Sequence, residues 1–249
     1  MIISTLLMRK KITFIVFCVI QPLLTFATPE DSVKGKSRSL FIITRFNTLN
    51  MAPVSGNIVN RNVNADLTVA YTHTKFTVTL QNGVDLQDRD SEMNYLLVNA
   101  RYKINLNKRF SVSPFLAFYS EHVHQFIDDG SDANGGMFFT FQNRSFTAEV
   151  FALIVRLTHR SHLKEAINRV EVKWKIQSMT LSGFLFHNAR YFDEDERISI
   201  GFRMAFPEFT ILNTVAARTD VTGSFIVYDS PNTRGLSGVF LSLVFPVKI

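Results

Sequence analysis

The sequence predicts an all-β fold, a transmembrane up-and-down antiparallel β-barrel of about twelve strands behind an N-terminal signal peptide. Three observations predict it: segment after segment alternates between apolar and polar residues with period 2, many of these segments run to ten residues or more, and the joins between them alternate between long and tight. Soluble sandwiches favour strands of about five or six residues, whereas a tilted strand needs about nine to eleven to cross a bilayer.

Composition narrows the choice first. The 249 residues include 27 basic and 21 acidic side chains, a formal charge of +6, 46% hydrophobic residues and 24 Phe. A disordered chain would be far poorer in Phe, and beyond the N-terminus no run of about 18 apolar residues offers a spanning helix. Residues 1–27 read as a secretory signal, with Arg9, Lys10 and Lys11 as its positive start, Ile12 to Phe26 as its apolar stretch and Thr25-Phe26-Ala27 as its cleavage site. The single Cys18 lies inside it. Cleavage leaves 24 bases against 21 acids, or +3, so the basic isoelectric point arises partly from the signal and nucleic acid is not an expected partner. Residues 28–38 read as a polar periplasmic lead-in and 39–249 as the barrel.

Each strand is read from its alternation. Val63, Ala65, Leu67, Val69 and Tyr71 share one face, opposite Asn62, Asn64, Asp66 and Thr68. Phe76, Val78 and Leu80 oppose Lys75, Thr77 and Thr79; Leu96, Val98, Ala100 and Tyr102 oppose Asn99, Arg101 and Lys103; Ile198, Ile200, Phe202 and Met204 oppose Arg197, Ser199 and Arg203. A helix would scatter each set around its circumference. Twelve segments result: 39–47, 62–73, 75–85, 92–105, 109–121, 136–143, 146–157, 167–177, 178–189, 197–206, 208–219 and 237–249. Tight joins are expected at His73-Thr74, Leu106-Asn107-Lys108, Arg144-Ser145, Gln177-Ser178 and Phe206-Pro207, with long joins at 48–61, 86–91, 122–135, 158–166, 190–196 and 220–236. A Greek-key sandwich would not sort its loops this way.

On these residues the chain resembles the bacterial outer-membrane β-barrel proteins across 39–249. Val239, Leu241, Leu243, Phe245, Val247 and Ile249 alternate to the last residue, similar to the assembly signal of that class, although Ile249 stands where those proteins most often end in Phe. The resemblance implies residence in the cell outer membrane with the short turns periplasmic. It also implies contact with outer-membrane lipid and lipopolysaccharide, and handling by the barrel-assembly machinery.

The two faces then carry the functional reading. Tyr71, Phe76, Tyr102, Phe110 and Trp174 are expected in interfacial girdles. The assumed register turns Lys75, Arg101, Lys103, Arg109, Arg144, Arg156, Arg169, Lys173, Lys175, Arg190, Arg197, Arg203 and Arg218 inward, against Asp66, Asp85, Glu121, Glu171 and Glu208. Such an excess in a water-filled lumen attracts anions; if the charges pair with one another, they plug a narrow barrel instead. The pore-lining set is taken as Lys75, Arg101, Lys103, Arg156, Arg169, Lys173, Lys175 and Arg203. Strand count and basic lumen are similar to those of twelve-stranded monomeric porins for acidic sugars. The carboxylates Asp128, Asp129 and Asp132 and the run Asp193-Glu194-Asp195-Glu196 read as solvated loop charge, and His122-Val123-His124 as no metal site.

One further pattern carries chemistry. Taking the odd residues Phe151, Leu153, Val155 and Leu157 as the lipid face places His159 and Ser161 on that face at the outer rim, with Asn168 across the hairpin. His-x-Ser followed by Asn resembles outer-membrane phospholipase A, and His-x-Ser alone resembles the barrel lipid A deacylases. The resemblance implies Ser161 as nucleophile, His159 as base and Asn168 as the residue that orients the ring. His162 departs from the Asn that usually follows the serine. The preferred reading is a passive pore with anion preference for small solutes. An acyl-ester hydrolase of outer-leaflet lipids and a structural or adhesive barrel are the alternatives. No cofactor and no metal are expected, save Ca²⁺ if the barrel is lipolytic.

Overall fold

The computed structural model describes residues 38–51, 56–88, 94–121, 131–157, 165–190, 195–211, 215–231 and 235–249. The expected signal 1–27 and the lead-in up to residue 37 lie outside them, and no described helix is long and apolar enough to cross a membrane. Twelve strands form the wall: β1 Arg38–Asn47, β2 Asn64–His73, β3 Phe76–Asp85, β4 Tyr95–Tyr102, β5 Phe110–Glu121 and β6 Ser131–Gln142. Then follow β7 Phe146–Val155, β8 Glu165–Ile176, β9 Met179–Arg190, β10 Glu196–Ala205, β11 Val215–Asp229 and β12 Gly238–Lys248.

Each strand pairs antiparallel with its sequence neighbours, and β1 pairs with both β2 and β12, so the sheet closes on itself. Closure is what lets strands cross lipid, because each backbone N–H or C=O left unsatisfied there would cost several kcal/mol. An even strand count returns the chain to the end at which it started, so Arg38 and Lys248 share that end with turns such as Thr74-Lys75 and Gln177-Ser178.

The register shows which residues meet lipid. Phe139, Val150, Val170, Leu185, Ile200 and Phe225 are successive partners across six strands, and all of them are exposed. The row one residue along, Phe138, Phe151, Arg169, Phe186 and Ser199, faces the interior. Near the tight turns an aromatic row runs Phe110, Phe141, Phe146 and Trp174, with ring centroids 4.9, 6.1 and 5.7 Å apart. Exposed Phe76 and Tyr102 extend it, so part of the expected girdle is in place.

Two sequence expectations are corrected. The eleventh strand is not 208–219 but Val215–Asp229; Phe209–Ile211 folds back against Val215–Ala217, so Phe206-Pro207 is not the whole join. The reading failed there because Asp220, Thr222, Gly223 and Ser224 look like turn formers. In the barrel Asp220, Thr222 and Ser224 point inward while Val221 and Phe225 point out, and a polar interior admits them. The second correction is the parity of β7. Its odd residues Phe151 and Leu153 are buried inside, whereas Val150 and Ile154 are exposed. Both faces of this strand are apolar, so alternation alone did not distinguish them. Thr147 and Glu149, on the odd face, carried the deciding signal.

Candidate functional site

Inside the barrel the two halves of the wall differ. On β5 to β9 the inward residues Phe115, Phe138, Phe151, Leu153, Ile167, Phe184 and Phe186 form a buried apolar cluster. Two guanidiniums lie on its rings: Arg101 is 5.2 Å from the Phe138 centroid, and Arg169 is 5.6 and 5.9 Å from those of Phe151 and Phe186. Cation–π contact lets a charged group rest on an otherwise oily wall. Arg169 also pairs with Glu149 and lies 3.5 Å from Glu171, which Lys173 approaches at 3.2 Å.

The opposite half is polar. Arg45 meets Asp66 at 3.3 Å, Asn47 donates to Asn64 at 2.7 Å and to Asp66 at 3.0 Å, and Arg218 meets Asp220 at 2.9 Å. Between the halves is a cavity of about 200 Å³ lined by Arg45, Asn47, Leu49, Met51, Asn64, Asp66, Gln81, Tyr95, Arg169, Arg203, Asp220, Thr222, Phe240 and Ser242. Its lining holds three guanidiniums against two carboxylates. Arg203 makes no ion pair within 4 Å among the described residues, although Glu171 and Asp220 are near enough to act on it electrostatically. Its guanidinium lines the cavity.

Above the cavity the connection between β1 and β2 turns into the barrel instead of standing clear of it. Asn50–Met51 pairs with Ile58–Asn60, and Leu49 and Met51 reach the cavity from that side. The fold of this connection follows from its asparagines and one buried carboxylate. Asp85 Oδ2 accepts from the side-chain amides of Asn50 at 2.7 Å, Asn62 at 3.0 Å and Asn60 at 3.1 Å. Asp85 Oδ1 accepts from the backbone N–H groups of Gln87 and Asp88 at 2.8 and 2.9 Å. The connection reaches the far wall, where Ser224 Oγ on β11 donates to the Gly56 carbonyl at 3.1 Å and Asn188 on β9 to Asn57 Oδ1 at 3.5 Å. Ile58, almost wholly buried, bridges to Leu236.

The residues singled out in the sequence are placed as follows. Arg101, Arg169, Lys173 and Arg203 face the interior. Lys75 sits in the tight turn after β2, and Lys103 and Lys175 are exposed near other turns. Arg156 follows β7 at φ 61° and lies 3.7 Å from Glu165. Sequence reasoning missed the inward acids Glu149, Glu165, Asp220 and Asp229, the last 2.9 Å from Arg197, so the thirteen-to-five excess of bases is not what the wall presents. Arg109 and Arg144 also fall in turns. It missed the Asp85 cluster too, whose signal was the unusual density of Asn between positions 50 and 64.

His159 and Ser161 lie outside the described residues, as do 122–130 and 191–194, and the odd-residue parity from which they were expected on the lipid face is the one corrected on β7. Asn168 is on the outer face of β8, where its amide is 3.4 Å from His187 Nδ1 on β9. His187 Nε2 is in turn 2.5 Å from Glu196 Oε1 at the start of β10.

No family model matches the chain, and no curated protein sequence does. Solved structures do match: the NanC porin aligns over 84% of this chain and all of its own length with a TM-score of 0.58 at 9% identity. The KdgM porin aligns over 83% of this chain and 97% of its own with a TM-score of 0.56 at 8% identity. The chain has the twelve-stranded barrel fold of these outer-membrane proteins. Both the exposed apolar row and the aromatic row fit a barrel that crosses a membrane with its strands.

Proposed function

We propose that the protein is a passive outer-membrane pore for small solutes with a preference for anions. The observation that carries this is the cavity inside the barrel, where the Arg203 guanidinium stands beside Arg45 and Arg169 with no ion pair among the described residues. A fixed positive group in a narrow, low-dielectric-walled passage lowers the energy of an anion there and raises that of a cation. The paired charges around it cancel locally, so the preference is modest and falls with salt. The apolar exterior is set against lipid and lipopolysaccharide, and the alternating C-terminal strand against the barrel-assembly machinery. Liposomes containing the purified protein should swell in small sugar acids faster than in neutral sugars of the same size. Swelling no faster than in protein-free liposomes, both before and after release of the β1–β2 connection, would reject the pore.

A second reading is favoured by one observation, the row Asn168, His187 and Glu196 on the outer face near the long-loop end. A carboxylate-held imidazole at the level of lipid ester groups suits an acyl-ester hydrolase, with Ser161 as nucleophile and His159 or His187 as base. Fatty-acid release from phospholipid or lipid A, with and without Ca²⁺, tests it; equal release by Ser161→Ala, His159→Ala and the unaltered protein would discard it.

A further inference from the structure

The inward connection between β1 and β2 carries several groups of one kind that converge on a single side chain. Three amides from its two described arms, Asn50 on one and Asn60 and Asn62 on the other, all donate to Asp85 Oδ2. Asp85 itself is 5% exposed and sits at the end of β3, so the anchor belongs to the wall and the amides belong to the connection. Hydrogen bonds to a charged acceptor are stronger than neutral ones, so these outweigh the neutral bonds that the connection makes with the far wall. Those neutral contacts include a hydroxyl–carbonyl bond from Ser224, a long amide–amide contact from Asn188 and the bridge from Ile58 to Leu236. The same connection supplies Leu49 and Met51 to the cavity, on the side from which a solute arrives from outside.

We propose that residues 48–51 and 56–63 form the constriction that sets which solutes pass, and that Asp85 is its positioning residue. The proposal rests on the pore reading. Asp85 touches no solute. It acts through Asn50, Asn60 and Asn62, which hold the connection across the lumen, and the passage has its narrow size because that one carboxylate is present. The solutes excluded by the constriction are those too wide to pass between it and the wall of the cavity of about 200 Å³.

Single-channel recording of the full-length protein tests this with three variants. Asp85→Ala should raise conductance about two-fold or more and admit larger solutes in liposome swelling, while the detergent-resistant folded band on unheated gels is unchanged. Asn50→Ala with Asn62→Ala, which removes two donors and keeps the carboxylate, should move conductance in the same direction, so the inference survives if Asp85→Ala fails to fold. Asp85→Ala carrying Asn57→Cys and Asn188→Cys, joined by a short thiol cross-linker with a cleavable disulfide, should return to the original conductance and reopen on reduction. A purely structural role for Asp85 would not give that reversal. If the unaltered protein conducts and neither donor nor acceptor removal changes conductance or size limit, the constriction is overturned and the pore stands. If the unaltered protein and every variant are silent, both are overturned. Silence in the unaltered protein with conduction in Asp85→Ala supports the constriction.

Discussion

Gly56 and Phe186 meet across the lumen with no room for a methyl group between them. A Cβ on Gly56 would lie 2.3 Å from Phe186 Cε2, and the Gly56 backbone has φ +68°, a region that L side chains adopt at a cost. The connection between β1 and β2 therefore ends its crossing on a flat aromatic surface, which only a glycine can approach this closely.

The first prediction follows from that contact. Gly56→Ala should displace the connection from the far wall and weaken the bond from Ser224 to the Gly56 carbonyl, at a cost of about 1–3 kcal/mol. Conductance should rise and channel noise increase, whereas Phe186→Ala in the same protein should restore part of the original behaviour by making room for the methyl group. Recordings of the single and double variants check this.

A second prediction concerns which side of the wall is wet. Val98 and Asn99 are neighbours on β4, Val98 paired with outward Leu80 and Phe118, Asn99 with inward Thr79 and Ala117. Val98→Arg should destabilise the barrel by about 2–4 kcal/mol, because the guanidinium enters lipid, while Asn99→Arg costs far less. Denaturant unfolding in lipid vesicles distinguishes them, and equal costs would mean that the faces are misassigned.

The charge network gives a third. Arg169 neutralises Glu149 and sits beside Glu171, so Arg169→Ala leaves two carboxylates of the same sign facing each other across β7 and β8. Stability should fall by about 1–3 kcal/mol and recover partly in Arg169→Ala with Glu149→Gln. Arg203→Ala removes no ion pair among the described residues, so it should leave stability nearly unchanged and lower anion preference, most visibly at low salt.

Much of the fold was legible because a barrel wall repeats one pattern. Ile198, Ile200 and Phe202 against Ser199 and Arg203 show both faces without ambiguity, and the strand is where the sequence places it. Legibility failed where one face did not look its part. On β7 the interior is as apolar as the exterior, since Phe151 and Leu153 belong to the luminal cluster, and on β11 the interior residues Asp220, Thr222 and Ser224 mimic a loop. The lumen was harder still. Its basic residues were readable one at a time, but pairings such as Arg169 with Glu149 depend on register between strands, and alternation along a single strand does not encode register. The inward course of residues 48–51 and 56–63 was invisible for the same reason, because their partners Asp85, Asn188 and Ser224 come from three different strands.

The measurement that bears most directly on the account is the reversal potential of the unaltered protein in a planar bilayer under a salt gradient. A lumen with Arg203 at its cavity should give ohmic conductance with a reversal potential of the sign set by anions, shrinking toward zero when Arg203 is replaced by Ala. A reversal potential of the opposite sign, or a purified, folded barrel that passes no current before and after release of the β1–β2 connection, would contradict it.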